Sequence, residues 1–213
     1  MAKHSYSTDN PSGRAMVKYP ATKSDPICKW RNASIGTVIE LVSWLPKMSM
    51  TKADFRDYMY NSLDFDFFHT SYQLAAQLGL YYEDNEGFIP RFDHEIDELE
   101  AREYMLKWMQ RYYVPNPFTK RGFVNIQPSI NLLYSLVDYL EDYPQKPNLA
   151  TAGAALFGGE MGNIGCVKFI LNEYSNLIEV DNENNMTLLY PKIGKTTVEY
   201  GRDDKWAFFQ HFN

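Results

Sequence analysis

The chain has few of the residues that build disulfide frameworks or metal centres. Its 213 residues include only two cysteines, Cys28 and Cys166, which lie far apart and favour a reducing compartment. The four histidines, at positions 4, 69, 94 and 211, lack the close-spaced partners that a zinc site needs. We therefore expect no metal site and no cofactor.

Long apolar runs are also missing. No segment approaches the roughly 20 apolar residues that cross a bilayer. The opening residues have no apolar core of a signal peptide. With 45% hydrophobic and 15% aromatic residues, the composition is that of a folded protein. These observations predict a cytoplasmic protein without membrane contact.

Motifs of catalysis are incomplete. Gly194-Lys195-Thr196 looks like the end of a phosphate-binding loop, but Leu189 stands where that motif requires glycine. A nuclease whose acids are dispersed in the sequence remains an alternative, and its candidate metal-binding acids are Asp64, Asp66, Asp203 and Asp204. No complete catalytic motif is present, so no catalytic residue is predicted.

Charge is distributed unevenly. The net charge is −6, yet residues 1–56 carry nine Lys or Arg against four Asp or Glu. Residues 57–144 carry six bases against fifteen acids, and residues 145–213 carry six against eight. One basic end beside an acidic middle suits a protein with a single anion-binding surface, and it equally suits an ordinary soluble protein.

One pattern occurs twice along the chain. Helical periodicity is followed by a short apolar strand, a turn of Asp, Glu, Asn and Gly, and a second strand, at residues 80–90 and again at 177–190. Helices are predicted before each hairpin, at 34–45, from Thr51 onward, and at 69–78 in the first copy, and at 128–144, 148–157 and 163–174 in the second. A further long helix is predicted at 94–113.

This repetition predicts a mainly helical α+β fold with two tandem winged-helix-like units and small β-hairpin wings. A polar, basic arm covers residues 1–26. The first unit covers 27–113 and includes the long helix, the second unit covers 114–191, and a C-terminal tail covers 192–213.

A winged helix of the helix-turn-helix type places its third helix in the major groove of DNA. Here the third helices are 69–78 and 163–174. Base-reading candidates are the polar residues expected on their outer faces: Thr70, Ser71, Gln73, Gln77, Asn163, Lys168 and Asn172. Candidates for contacts to the phosphate backbone are the cations Arg14, Lys18, Lys23, Lys29, Arg31, Lys47, Lys52, Arg56, Lys120 and Arg121.

The central stretch carries a family resemblance. It runs Tyr104-Met105-Leu106-Lys107-Trp108-Met109-Gln110, continues through Tyr-Tyr-Val-Pro-Asn-Pro-Phe, and reaches Ile126-Gln127-Pro128-Ser129-Ile130-Asn131-Leu132-Leu133. In order and character it resembles the DNA-recognition region of AlwI-type (type IIS) restriction endonucleases, over about residues 75–180. The resemblance implies recognition of an asymmetric DNA site, with cleavage by a separate magnesium-dependent nuclease domain or subunit that these 213 residues do not contain.

The sequence thus predicts sequence-specific binding of double-stranded DNA without chemistry of its own. Two alternatives stay open. One is a winged-helix module for protein–protein interaction, in which the aromatic tail around Trp206 fills a pocket of the partner. The other is the metal-dependent nuclease with a dispersed site.

Overall fold

The computed structural model describes residues 33–62, 74–114, 116, 130–157, 164–190 and 204–213. Within these residues the protein is α+β, with helices packed around small antiparallel sheets. No helix in the described ranges is both long and apolar enough to cross a membrane.

In the first unit the elements follow one another as helix, strand, two helices and a hairpin. They are α1 (Ile35–Trp44), β1 (Met50–Thr51), α2 (Lys52–Ser62), α3 (residues 74–77), β2 (Tyr81–Glu83), β3 (Gly87–Pro90) and the long α4 (Glu98–Arg111). From there the chain continues through β4 (Tyr113–Val114), β5 (Ile130–Asn131), α5 (Leu132–Asp142), α6 (Leu149–Phe157), α7 (Ile164–Tyr174), β6 (Ile178–Val180), β7 (Met186–Leu188) and α8 (Lys205–Gln210).

Local capping explains where several helices begin. The Ser34 hydroxyl accepts a hydrogen bond from the amide of Thr37 and starts α1. Before α2, the Thr51 hydroxyl accepts from the Asp54 amide and donates to the Asp54 carboxylate, so its side chain caps the helix. Because Asp97 caps α4, that helix begins at Glu98 and not at the predicted position 94.

The start predicted for the next helix is wrong. It was expected at Pro128, but α5 begins at Leu132, since Ile130 and Asn131 are extended. These two residues form β5, which pairs with β4, and the Asn131 side chain then caps the helix. The β4–β5 ladder joins the end of the first unit to the start of the second.

The sheet of the first unit has three strands in the order β1-β3-β2, all antiparallel. β1 pairs Met50 with Phe88 and Thr51 with Gly87. In the second unit β6 pairs with β7, and Asn148 forms a single antiparallel bridge to Asn185. The pairing of β1 and the bridge of Asn148 were not predicted, because they join residues that are about 36 positions apart in sequence.

The two units share one spatial plan in one sequence register. Residues with the same role are the helix caps Ser34 and Asn131, the bridging residues Thr51 and Asn148, and the turn aspartates Asp84 and Asp181. In each pair the later position minus the earlier one is 97 (131 minus 34, 148 minus 51, 181 minus 84). The order helix, segment paired with the hairpin, helix, helix, hairpin therefore occurs twice at the same sequence spacing, and the paired segment is a strand in the first copy and a single bridge in the second.

A single hydrophobic cluster runs through both units. Helix α4 lies at its centre and packs against α1, α5 and α7. Its Trp108 and Met105 are completely buried. Residues 204–213, which belong to the predicted C-terminal tail, are part of the same cluster because α8 packs against β2 and buries Phe208 and Phe212.

Candidate nucleic-acid interface

Many of the predicted contact residues lie outside the described ranges. They are Arg14, Lys18, Lys23, Lys29, Arg31, Lys120 and Arg121 among the cations, and Thr70, Ser71, Gln73 and Asn163 among the base-reading candidates. The described candidates are Lys47, Lys52, Arg56, Gln77, Lys168 and Asn172.

Lys47 closes the end of α1. Its ammonium donates to the carbonyl oxygens of Val42 and Leu45 and forms an ion pair of 3.2 Å with Glu95. A cation at this position stabilises the negative end of the helix dipole. Its side chain is only 26% exposed, so Lys47 has a structural role in the described molecule.

Lys52 and Arg56 lie four residues apart on α2, and both are exposed. They therefore share one face of that helix. The Lys52 ammonium donates to the Asn85 side-chain oxygen over 3.1 Å, which places this face beside the turn of the first hairpin. Among the described candidates these two cations are the best placed for phosphate.

Gln77 does not lie on an outer face, so that prediction is wrong. Only 5% of the residue is exposed, and its backbone oxygen accepts a bond of 3.3 Å from the buried Trp108 indole. Position 77 follows the buried Leu74 by three residues and precedes the buried Leu78 by one. This spacing places all three on the inner face of a helix, and it could have been read from the sequence.

In the second unit, Lys168 and Asn172 both bind the adjacent hairpin. The Lys168 ammonium donates to the Asp181 carbonyl over 2.7 Å and to the Asn182 side chain over 3.2 Å. The Asn172 amide group accepts from the Val180 N–H over 2.8 Å and donates to the Val180 carbonyl over 2.9 Å. Their polar groups thus hold the hairpin against α7.

Both hairpin turns contain the same three residues, Asp-Asn-Glu, at 84–86 and 181–183. The Asp84 carboxylate accepts from the amides of Glu86 and Gly87, and these bonds hold its pKa below the usual range. Asp181 does the same with the amides of Asn185 and Glu183, with the same effect on its pKa. Both turns are therefore anionic and repel phosphate.

The end of α3 is held by side chains from other elements. Consecutive carbonyl oxygens of Gln77, Leu78 and Gly79 accept bonds from Trp108, from the Tyr104 hydroxyl and from the Arg91 Nε. Burial raises the pKa of Tyr104 to about 12, so this phenol remains a hydrogen-bond donor at neutral pH.

Arg91 connects the end of α3 to α8. Its guanidinium also donates to the backbone oxygen of Phe209 and to the side chain of Asn213, and it lies 3.9 Å from the centre of the Phe209 ring. Sequence reasoning missed this residue because its partners in the C-terminal segment lie more than 100 positions away. No local pattern marks such a contact.

The aromatic tail is not free to act as a protein anchor in the way the first alternative requires. Phe208, Phe209 and Phe212 are buried against this chain's own first unit. Trp206 alone remains 45% exposed, and its ring packs edge-on against Tyr82 at 4.8 Å. The run of aromatic residues is mostly core.

The acids proposed for a dispersed nuclease site lie largely outside the described residues, which include Asp204 but not Asp64, Asp66 or Asp203. The Asp204 carboxylate accepts from the Ala207 amide over 2.8 Å and caps α8. Within the described ranges no group of three or more His, Cys, Asp or Glu side chains could hold a metal ion.

No protein-family model, curated protein or solved structure shows significant similarity to this chain.

Proposed function

We propose that the protein is a tandem winged-helix module that binds double-stranded DNA with sequence specificity. The observation that carries this proposal is the repeated order helix, segment paired with the hairpin, helix, helix, hairpin. The paired segment is β1 next to β3 in the first copy and the single bridge of Asn148 to Asn185 in the second. A segment between the first and second helices that pairs with the hairpin is expected of a winged helix, whose third helix is the usual DNA-reading element, and this pairing supports the proposal.

The charges favour contact through the helices and the basic arm. Lys52 and Arg56 extend from the exposed face of α2, while six of the nine cations in residues 1–56 precede residue 33. Both hairpin turns carry an ionised Asp, so in this proposal the turns themselves make no phosphate contact, and in the first unit the Lys52 ammonium beside Asn85 is the group of this region that reaches the DNA.

The resemblance to AlwI-type recognition regions supports the same function. It adds the proposal that a magnesium-dependent nuclease domain or subunit is the partner that cuts the DNA. The low cysteine content supports a cytoplasmic location.

A binding titration tests the proposal. The protein is titrated into a labelled random-sequence duplex by fluorescence anisotropy between about 50 and 200 mM salt, and bound duplexes are selected and sequenced. We expect affinity that falls steeply with salt and enrichment of one asymmetric sequence. The proposal would be refuted if the protein bound no duplex at about 50 mM salt, or if its affinity did not fall between about 50 and 200 mM salt.

A charge-matched pair of variants identifies the surface. Lys23→Gln, Lys29→Gln and Arg31→Gln together remove three positive charges from the arm. Arg102→Gln, Lys107→Gln and Lys146→Gln remove three from residues 57–213, the part of the chain with a net negative charge. Only the first set should weaken binding and reduce the salt slope, by about one for each lost phosphate contact.

A second candidate function is protein binding through the face beside Trp206. The exposed Trp206, Tyr82 and the acidic first turn border a groove of about 550 Å³, and aromatic side chains are frequent at protein interfaces. Trp206→Ala should abolish partner binding if this function is correct, and it should leave DNA binding intact. The anisotropy titration with Trp206→Ala separates the two functions, because loss of DNA binding in this variant would contradict the second one.

A further inference from the structure

We propose that two copies of this chain associate through the outer edge of β7, as an antiparallel strand pair centred on Leu189. The inference goes beyond the proposed function and does not depend on it. It rests on the backbone of the second hairpin and on the comparison of that hairpin with the first.

The backbone groups of β7 alternate between the two sides of the strand. The Leu189 N–H donates to the Leu177 carbonyl, so it points towards β6. The Met186 N–H points the other way, to the segment that precedes α6. Because the direction changes with every residue, the N–H and C=O groups of Leu188 and Tyr190 also point away from β6.

Within the described ranges, the outer edge of β7 is covered at Met186 and open beyond it. The Met186 amide donates to the Pro147 carbonyl over 2.9 Å. The chain before Pro147 turns away from the edge, since the Lys146 amide bonds back to the Tyr143 carbonyl. Among the described residues, none pairs with the outward backbone groups of Leu188. An unpaired strand edge is a template for another strand.

The first unit blocks the equivalent edge. Counted from the innermost pair of each hairpin, Pro90 of β3 is equivalent to Leu188 of β7. Proline has no N–H to donate, and it is one of the residues that protect natural sheet edges from pairing. From Met186 to Tyr190 the second hairpin contains neither a proline nor a charged residue. The sequence therefore protects the edge of β3 and leaves the edge of β7 open.

The open edge is complementary to a second copy of itself. An antiparallel pair is locally two-fold symmetric, so two edges that meet about Leu189 bring Leu188 of each copy opposite Tyr190 of the other. About four backbone hydrogen bonds then satisfy the outward groups of both residues. The Leu189 side chain is 44% exposed and Tyr190 is 60% exposed, and this pairing covers both. It brings no charges together, because the exposed Glu179 lies on β6, one strand further from the edge.

Sedimentation equilibrium between about 10 µM and 1 mM protein tests the association. We expect the wild type to shift from one chain to two over this range. Leu189→Lys places like charges opposite each other at the centre of the pair, so it should weaken the dimer about tenfold or more. Leu106→Lys is the matched control, because it adds the same charge at a leucine of α4 that is 37% exposed, and it should leave the dimer unchanged.

Two results would overturn the inference. One is a wild type that stays monomeric over the whole range, even if its β7 edge then binds a strand of a different protein. The other is equal weakening of the dimer by Leu189→Lys and Leu106→Lys, which would show that the added charge acts without regard to place.

Leu188→Pro transfers the protection of the first hairpin to the second. It removes one outward N–H from each copy and therefore half of the bonds between them. The dimer should weaken about tenfold or more, while circular dichroism of the monomer stays the same. A dimer of unchanged strength in this variant would contradict pairing through the backbone of β7.

A disulfide tests the register. In the proposed pair the two copies of position 189 face each other with Cα atoms about 4.5 Å apart, within the range of a disulfide. The two copies of Thr187, which is also exposed, lie about 14 Å apart along the strands. In a background with Cys28→Ser and Cys166→Ser, Leu189→Cys should form a covalent dimer on mild oxidation and Thr187→Cys should not. Equal crosslinking of the two variants, or none in either, would overturn the proposed register.

Discussion

The first and second units follow the same plan but achieve it with different contacts. In the first unit β1 contributes two paired residues to a three-stranded sheet, whereas in the second unit the same place is taken by the single bridge of Asn148. Between the innermost pairs of β2–β3 and β6–β7, Glu83–Phe88 and Val180–Met186, the first hairpin has four residues and the second has five, and Asn184 adopts a left-handed φ of 64° there. The plan thus tolerates different lengths of strand and turn.

The outer edges of the two hairpins, on β2 and β6, are covered in different ways. Helix α8 packs against β2 in the first unit, while in the second unit the Asn172 side chain bonds to both backbone groups of Val180 in β6. An exposed strand edge invites pairing with other chains. The first unit covers this edge with α8. In the second unit the Asn172 carboxamide provides hydrogen-bond partners for the backbone N–H and C=O of Val180.

The largest expected effect is a difference in stability loss between equivalent substitutions in the two hairpin turns. A methyl group at Gly87 would overlap the backbone oxygen of Met50, so Gly87→Ala should force β1 and β3 apart and lower the free energy of unfolding by about 3 kcal/mol. The equivalent Asn185 already carries a side chain, which lies 3.4 Å from the Asp181 carboxylate. Asn185→Ala should therefore cost less than about 1 kcal/mol. Urea denaturation measures both, and equal losses would contradict the proposed difference.

A smaller loss of unfolding free energy is expected from a substitution beside the β6 edge of the second unit. Asn172→Ala removes both hydrogen bonds to Val180, but water can reach this exposed site, so the loss should be about 1 kcal/mol. Glu173→Ala, at the next and equally exposed position on α7, is the control and should change little. Thermal unfolding followed by circular dichroism measures the difference, and a larger effect of the control would contradict the role of Asn172.

The smallest effect is the pH dependence that comes from histidine, which is confined to the first unit and its covering helix because residues 114–191 contain no histidine. Burial, with the nearby Arg111 cation, lowers the pKa of His211, so its contribution to the free energy of unfolding falls as pH drops below the pKa of an unfolded histidine. Hydrogen bonds to Asp93 and Glu100 raise the pKa of His94, so its contribution is present at low pH and lost as pH rises through the raised value.

Nuclear magnetic resonance titration of the His94 and His211 imidazole rings measures both pKa values. His94 should titrate above, and His211 below, the value of a free histidine. His211→Gln should flatten the fall in unfolding free energy on the acidic side. Identical pKa values for the two rings would show that α8 does not bury His211 in solution.

Local residues predicted much of this fold. The helices that begin beside Ser34 and Thr51 and both Asp-Asn-Glu turns are closed by bonds within five positions, so periodicity and turn chemistry located them. The winged-helix arrangement, the DNA function and the base-reading residues outside the described ranges remain predictions.

Other features followed from contacts that no local pattern contains. The sequence by itself determined which segments form helices and hairpins, because those structures are closed by bonds between near neighbours. Only the tertiary structure decided that α8 is core and that Arg91 holds α3, and it alone directed Lys168 to its own hairpin. Each of these contacts depends on which surfaces stay exposed after the helices have formed. Burial of apolar area stabilises the fold whatever the sequence separation of the partners, so a local pattern does not indicate which segment covers a given surface.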